Sequence, residues 1–150
     1  MAYKEKQIGW TFISLMLAVW AVIAITFLLN AGSKPLGWTS FLVATALIGL
    51  VVLLFYQMKL ETQKGGIRIS YGIGWISIFL AVDRIDKTES IKTPWYWGLG
   101  IRHTPKGILY NIQSLSAVQI FYQVGTQKKT VMIGSKTPEN LASALEKAFP

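Results

Sequence analysis

The stretch IGWTFISLMLAVWAVIAITFLL, residues 8–29, decides how the rest of the chain is read. Its 22 residues include no ionisable side chain. About 20 apolar residues, rising 1.5 Å each, cross the ~30 Å hydrocarbon core of a bilayer, and a helix satisfies its own backbone hydrogen bonds there. A second run, LGWTSFLVATALIGLVVLLFY, residues 36–56, is 21 residues long and equally uncharged. A secretory signal would have a shorter apolar region, about 7–15 residues, and a small-residue cleavage site. Two transmembrane helices are therefore expected, over about residues 8–29 and 36–58.

Between them lies Asn30-Ala31-Gly32-Ser33-Lys34-Pro35. Asn30 and Gly32 suit the end of a first helix and Pro35 the first turn of a second. So short a link requires an antiparallel hairpin. Trp10 and Trp38 near the starts of the spans, and Phe55 with Tyr56 near the end of the second, occupy positions that interfacial aromatics favour. Ser14, Ala18 and Ala21 share one helical face, as do Ser40 with Ala44 and Thr45 with Gly49. Small residues of this kind admit close packing, within the hairpin or between protomers.

The flanking bases set an orientation. Lys4 and Lys6 precede the first span, Lys59, Lys64 and Arg68 follow the second, and the connector carries only Lys34. The positive-inside rule puts both termini in the cytoplasm, and the expected location is the bacterial inner membrane.

Outward from the two runs, the composition fits the same division. The chain has 150 residues, 52% hydrophobic and 15% charged, with 15 Lys+Arg against 7 Asp+Glu. The charged share is well below the roughly 25% of soluble domains. Residues 59–150 carry 12 of the bases and 6 of the acids, so the remaining segment resembles an ordinary water-facing domain. The absence of cysteine excludes a disulfide framework, a thiolate nucleophile and cysteine-ligated zinc. The division expected is residues 1–60 as a tail and two-helix hairpin, and 61–150 as a cytoplasmic domain.

That domain reads as β-structure. Ile67, Ile69 and Tyr71 alternate with Arg68 and Ser70; after Gly72 and Gly74, Ile76, Ile78 and Leu80 alternate with Trp75, Ser77 and Phe79. Further strands are expected over 84–91, 97–102, 108–112, 118–124 and 130–133. Thr137-Pro138-Glu139 then supplies an N-cap, a first-turn proline and an acid, opening a helix whose apolar face is Leu141, Ala144, Leu145, Ala148 and Phe149. About seven antiparallel strands in a partly open barrel or sandwich, capped by this C-terminal helix, would bury both apolar faces.

The pattern resembles a known family. Trp97-Gly98-Leu99-Gly100-Ile101-Arg102, Gly107-Ile108-Leu109-Tyr110-Asn111 and Ala117-Val118-Gln119-Ile120 are similar to segments of the bacterial PH-like (pleckstrin-homology-like) domains. The run Ile133-Gly134-Ser135-Lys136-Thr137-Pro138-Glu139-Asn140-Leu141 is similar to their glycine turn and "Pro-Glu-x-Leu" helix entrance. The resemblance covers roughly residues 60–149. It implies an α+β fold beside transmembrane helices, and a binding or scaffolding role with no catalytic residues. The phosphoinositide-binding PH domains of eukaryotes hold their headgroup with a basic cluster at the first hairpin. Here that tip is Tyr71-Gly72-Ile73-Gly74, with only Arg68 nearby.

Individual candidates are weak as chemistry. Gly98-x-Gly100 has no third glycine opening a helix, and suits a strand bend. His103 stands alone beside the turn at residues 104–107. Asp83, Asp86 and Glu89 lie among Arg84 and Lys87, and strand alternation turns Asp83 and Asp86 to opposite sides. Lys59, Lys64, Arg68, Lys128 and Lys129 are candidate contacts for anionic lipid. Trp95 and Trp97 flank Tyr96 and share a side under alternation, as sheet core, interface anchor or a partner's hot spot.

No catalytic, cofactor or metal site is expected. The basic excess is small and explained by topology rather than by nucleic acid. The reading is a non-enzymatic, membrane-anchored interaction or scaffolding module that binds protein, its own copies or an anionic membrane surface. The alternative is a subunit of a small oligomeric channel or transporter, for which neither span supplies a charged residue or histidine.

Overall fold

In a computed structural model, residues 3–97, 100–113 and 115–150 are described, except for the side chain of Trp95. A strand comes first, β1 (Lys4–Ile8), and then two helices, α1 (Trp10–Leu28) and α2 (Trp38–Phe55). Strands β2 (Gln57–Gln63), β3 (Gly66–Tyr71), β4 (Ile76–Ala81) and β5 (Arg84–Lys92) follow. After a single 3₁₀ turn (Trp95–Trp97) come β6 (Gly100–Thr104), β7 (Gly107–Asn111), β8 (Ser116–Val124) and β9 (Gln127–Gly134), and α3 (Pro138–Ala148).

The helices are slightly shorter than the expected spans of 8–29 and 36–58, and Ile8 and Gln57 already belong to strands. At 19 and 18 residues they are about 28 and 27 Å long, and both are apolar enough to cross a membrane by length and composition. Neither helix contains a buried residue. Asn30, at φ 47°, closes α1. Its N–H donates to the Phe27 carbonyl and that of Ala31 to Thr26 (3.2 and 3.0 Å), the paired bonds of a Schellman motif. Pro35 falls three residues before α2 rather than inside it.

Large residues join the helices. Phe27 stacks on Phe41 at 4.5 Å and meets Trp38 edge-on at 4.9 Å, and Trp20 Nε1 donates to Thr45 Oγ1 at 3.2 Å. A Cβ on Gly49 would meet nothing, so the Thr45/Gly49 face is open at Gly49.

Two sheets make up the domain, in the orders β1-β2-β3-β4 and β5-β8-β9-β7-β6. They do not close into a barrel, and β7 runs parallel to β9 in a sheet otherwise antiparallel. Met58, Leu60, Ile67, Ile69 and Tyr71 of the first sheet meet Tyr110, Val118, Ile120, Val131 and Ile133 of the second in one core. Leu141 and Leu145 of α3, which packs against β5 and β8, and Phe149 just past its end complete it.

The sequence reading assigned residues 1–60 to a tail and hairpin. The first sheet takes β1 and the first half of β2 from that stretch, one from each side of the helices. Ile8 pairs with Gln57, and the Gly9 N–H donates to the Tyr56 carbonyl at 2.8 Å. In topology, the helical pair is a long insertion into the loop of the β1–β2 hairpin.

Trp97 lies outside the strand expected over residues 97–102. The 3₁₀ turn ends at Trp97 and β6 begins at Gly100, with Gly98 and Leu99 outside the described residues. Alternation therefore does not govern Trp95 and Trp97.

Candidate functional site

The strand directions divide the domain into a hairpin end, where the helices attach, and a far end. At the hairpin end Gly72 (φ +55°) begins the β3–β4 turn directly against the last turn of α2. A Cβ there would collide with the carbonyls of Leu53 and Leu54, so only glycine fits. Gln57, buried at the first position of β2, ties the two together. Its Nε2 donates to the Gly72 carbonyl and the Tyr56 hydroxyl (2.8 and 2.7 Å). The tip of the turn is apolar and exposed, with Ile73 at 49% and Trp75 at 73%.

The β7–β8 loop approaches α1 in the same way. Gln113 Oε1 accepts the Trp10 backbone N–H at 2.8 Å, buried Ile112 lies against Gly9, and Leu115 is exposed. Between the helix feet and β6 is an apolar cavity of about 380 Å³, lined by Phe12, Phe55, Gly100, Ile101, Arg102 and Ile112.

A polar cluster locks β1 to the second sheet. The Glu5 carboxylate accepts from the Tyr3 hydroxyl (2.9 Å), Gln7 Nε2 (3.0 Å) and Ser135 Oγ (3.0 and 3.1 Å). Gln7 Nε2 also reaches the Gly134 carbonyl at 2.8 Å. Ser135 Oγ accepts the Thr137 N–H at 3.1 Å, at the entrance to α3. Burial, with the adjacent Glu5 carboxylate, pushes the Tyr3 hydroxyl up to about 12. The Tyr71 hydroxyl is also raised, by burial, and has no hydrogen-bond partner among the described residues.

The far end collects the turns on the other side. Val82 N–H donates to the Gly65 carbonyl, Asp83 N–H to Gln123, and Ile85 N–H to Phe149 (3.1, 3.0 and 3.2 Å). Gly125 N–H donates to Asp83 Oδ2 at 2.7 Å. A shallow cleft of about 730 Å³ opens there beside Lys64, Asp83, Lys147 and Phe149.

The candidate bases separate accordingly. Lys59 is two residues from the start of β2, but Lys64 lies past its far end, about 17 Å further along the chain direction. Lys128 and Lys129, opposite Gln123 and Tyr122, are also at the far end. Arg68 is mid-sheet, between Glu61 and Phe79. The five therefore form no single patch. Residues 57–63 are a strand leading away from the helix.

Of the aromatic trio, Trp97 packs against Leu109, Ala117 and Met132, covering the outer face of the second sheet. Tyr96 is the exposed member, at 69%; the Trp95 side chain lies outside the described residues.

The acids of β5 each have a local role. Asp86 sits at a β-bulge and accepts from Gln123 Nε2 (2.8 and 2.9 Å) and Arg84 (3.1 Å). Those bonds, Gln123 foremost, hold its carboxyl below the usual carboxylate range. Lys87 pairs with Glu89. Exposed His103 lies on β6. Among the described residues no three His, Asp or Glu side chains are grouped to hold a metal ion.

Lys6, Ile73, Trp75 and Leu115 also belong to the hairpin end, and none of them stands out as a site residue in the sequence. A signal existed for the turn, since isoleucine and tryptophan are unusual where polar residues normally sit. No family model, curated protein or solved structure matches the chain.

Proposed function

We propose that this chain is a non-enzymatic, membrane-anchored interaction module of the bacterial PH-like kind. It presents its β domain at the cytoplasmic face of the inner membrane, to a protein partner or the anionic membrane surface. The observation that carries this reading is the attachment. Both helices continue from paired strands of one sheet, separated from them by Gly9 and Tyr56 alone, so the domain cannot drift from the bilayer on a linker.

The helices support the membrane assignment. The domain covers none of their apolar windows, and two such helices in water would expose a patch far larger than soluble proteins carry. Lys34 alone marks the connector against Lys4, Lys6 and Lys59 at the opposite ends, which favours a cytoplasmic domain. Anchoring raises the effective concentration of the domain for any membrane partner, so weak contacts suffice.

The test is purification of the full chain from its native membrane, with co-purifying proteins and lipids quantified. A stoichiometric protein or an enriched anionic lipid is the expected result. Recovery of the chain alone, with ion flux in proteoliposomes, would replace this reading with the channel alternative.

A further inference from the structure

The geometry points to a lipid-binding rim on the hairpin end of the domain. Ile73 and Trp75 of the β3–β4 turn, with Leu115 of the β7–β8 loop, enter the interface of the bilayer that α1 and α2 cross. Behind them, Lys6 and Lys59 take the headgroups of anionic phospholipids. This inference rests on the membrane-spanning reading above and names the ligand and the surface that meets it.

The depth of the rim follows from contact. Gly72 touches the carbonyls of Leu53 and Leu54, inside the last turn of an apolar helix whose Leu53 is itself exposed. If that turn lies at the edge of the hydrocarbon, so does the backbone of Gly72, and the next residues carry Ile73 and Trp75. Tryptophan favours this headgroup level, with its ring in the apolar layer and its N–H toward water. The Gln113–Trp10 bond (2.8 Å) sets the β7–β8 loop at the same level, beside the first turn of α1.

The lysines follow from the register. Lys6 and Lys59 are opposed residues of β1 and β2. Backbone bonds Gly9 N–H to Tyr56 and Thr62 N–H to Tyr3 (2.8 and 2.9 Å) fix the alternation, so Lys6/Lys59 is a non-hydrogen-bonded pair. Side chains are closest in such pairs, and like charges there are unfavourable. The equivalent pair further along, Lys4 and Glu61, is an ion pair at 3.4 Å. Neither Lys6 nor Lys59 has an acidic partner among the described residues. Their row continues through Ser70 and Ser77, whose hydroxyls are 3.4 Å apart. Two ammonium groups beside two hydroxyls offer donors to a phosphodiester, and long lysine stems reach from a strand to the headgroup layer.

The chain has no cysteine, so single spin labels can be introduced directly at Ile73→Cys, Trp75→Cys, Phe79→Cys, Lys128→Cys and Val22→Cys. The full chain is placed in vesicles of phosphatidylglycerol and phosphatidylcholine. Labels at 73 and 75 are expected to collide more with oxygen than with a water-soluble nickel complex, and labels at 79 and 128 the reverse. If 73 and 75 behave like 128 while 22 is shielded in lipid, the rim is refuted and the spanning reading stands. If 22 is also in water, both fall.

For the headgroups, a fluorophore at Ser77→Cys is quenched by headgroup-labelled phosphatidylglycerol or phosphatidylcholine. Preference for the anionic lipid should fall roughly fivefold for each of Lys6→Gln and Lys59→Gln. Equal quenching by the two lipids in the parent chain would overturn the lysine assignment.

Discussion

The two sheets of the domain are assembled from the chain in opposite ways. The second uses one contiguous stretch, from Arg84 to Gly134. The first joins β1 to β2 across the whole helical insertion, and its remaining strands follow in order. The core between the sheets draws on both, with Met58 and Leu60 of β2 as deeply buried as Ile120 and Ile133. The helical pair is therefore appended to the β domain at its β1–β2 loop, and the residues that hold it sit on both sides of the helices in sequence.

The strongest way to break this comparison is to cut the chain where composition alone suggests. A fragment of residues 62–150 keeps the second sheet but loses β1 and most of β2. It is expected to show no cooperative unfolding by circular dichroism. A chain in which residues 9–56 are replaced by a short Asn-Gly turn retains both strands and should fold in water. Equal stability of the two would make β1 and β2 dispensable.

Within the folded chain, Leu60→Ala should cost about 2–5 kcal/mol, the range for opening a cavity in a packed core. Trp97→Ala only uncovers one face of the second sheet and should cost less, about 1–2 kcal/mol for partial apolar burial. Denaturant titration of the turn-replaced chain measures both, and a larger loss for Trp97 would invert the assignment of the core.

The third change addresses the attachment. Gly72→Ala meets the carbonyls of α2 and an unfavourable backbone angle, together about 1–3 kcal/mol. In the turn-replaced chain α2 is gone, and only the backbone part should persist. The same loss in both chains would mean that the contact with α2 contributes nothing.

The smallest effect lies at the far end. The Asp86 carboxyl is depressed in the folded state, so its contribution is present above the ordinary aspartate value and is lost as pH falls through the folded one. Gln123→Ala should move the Asp86 titration upward, toward the ordinary value, in a carboxylate NMR titration. An unmoved titration would assign the depression to Arg84.

Much of this architecture was legible beforehand. The helices came from uncharged length, and β3, β4, β5, β7, β8 and β9 from alternation and turns. Pro138 and Glu139 gave α3. The strand β1 was hidden because Glu5 and Gln7, its inward residues, are polar and bond to Ser135 and Gly134, so KEKQI shows no hydrophobic period. In β2, Met58, Leu60 and Thr62 do alternate with Lys59, Glu61 and Gln63, but the strand runs straight on from the apolar helix, and a span expected to reach residue 58 hides its start. The parallel pairing of β7 with β9 depends on contacts distant in sequence, which no local pattern encodes. The candidate site was less legible still. The bases at residues 59–68 are close along the chain, yet extended strands separate them, and the apolar rim is set by two turns that only the fold brings to the helix ends.

The pairing of β1 with β2 across the base of the helices is the center of this account, and the cysteine-free chain allows it to be tested in place. Lys6→Cys and Lys59→Cys, combined in the full chain in lipid vesicles, put two thiols at a non-hydrogen-bonded pair, within the Cα spacing a disulfide accepts. Mild oxidation should give an intramolecular disulfide in nearly every chain, read as a gel shift reversed by reductant. Thiols that stay reduced, or link only between chains, would contradict the account.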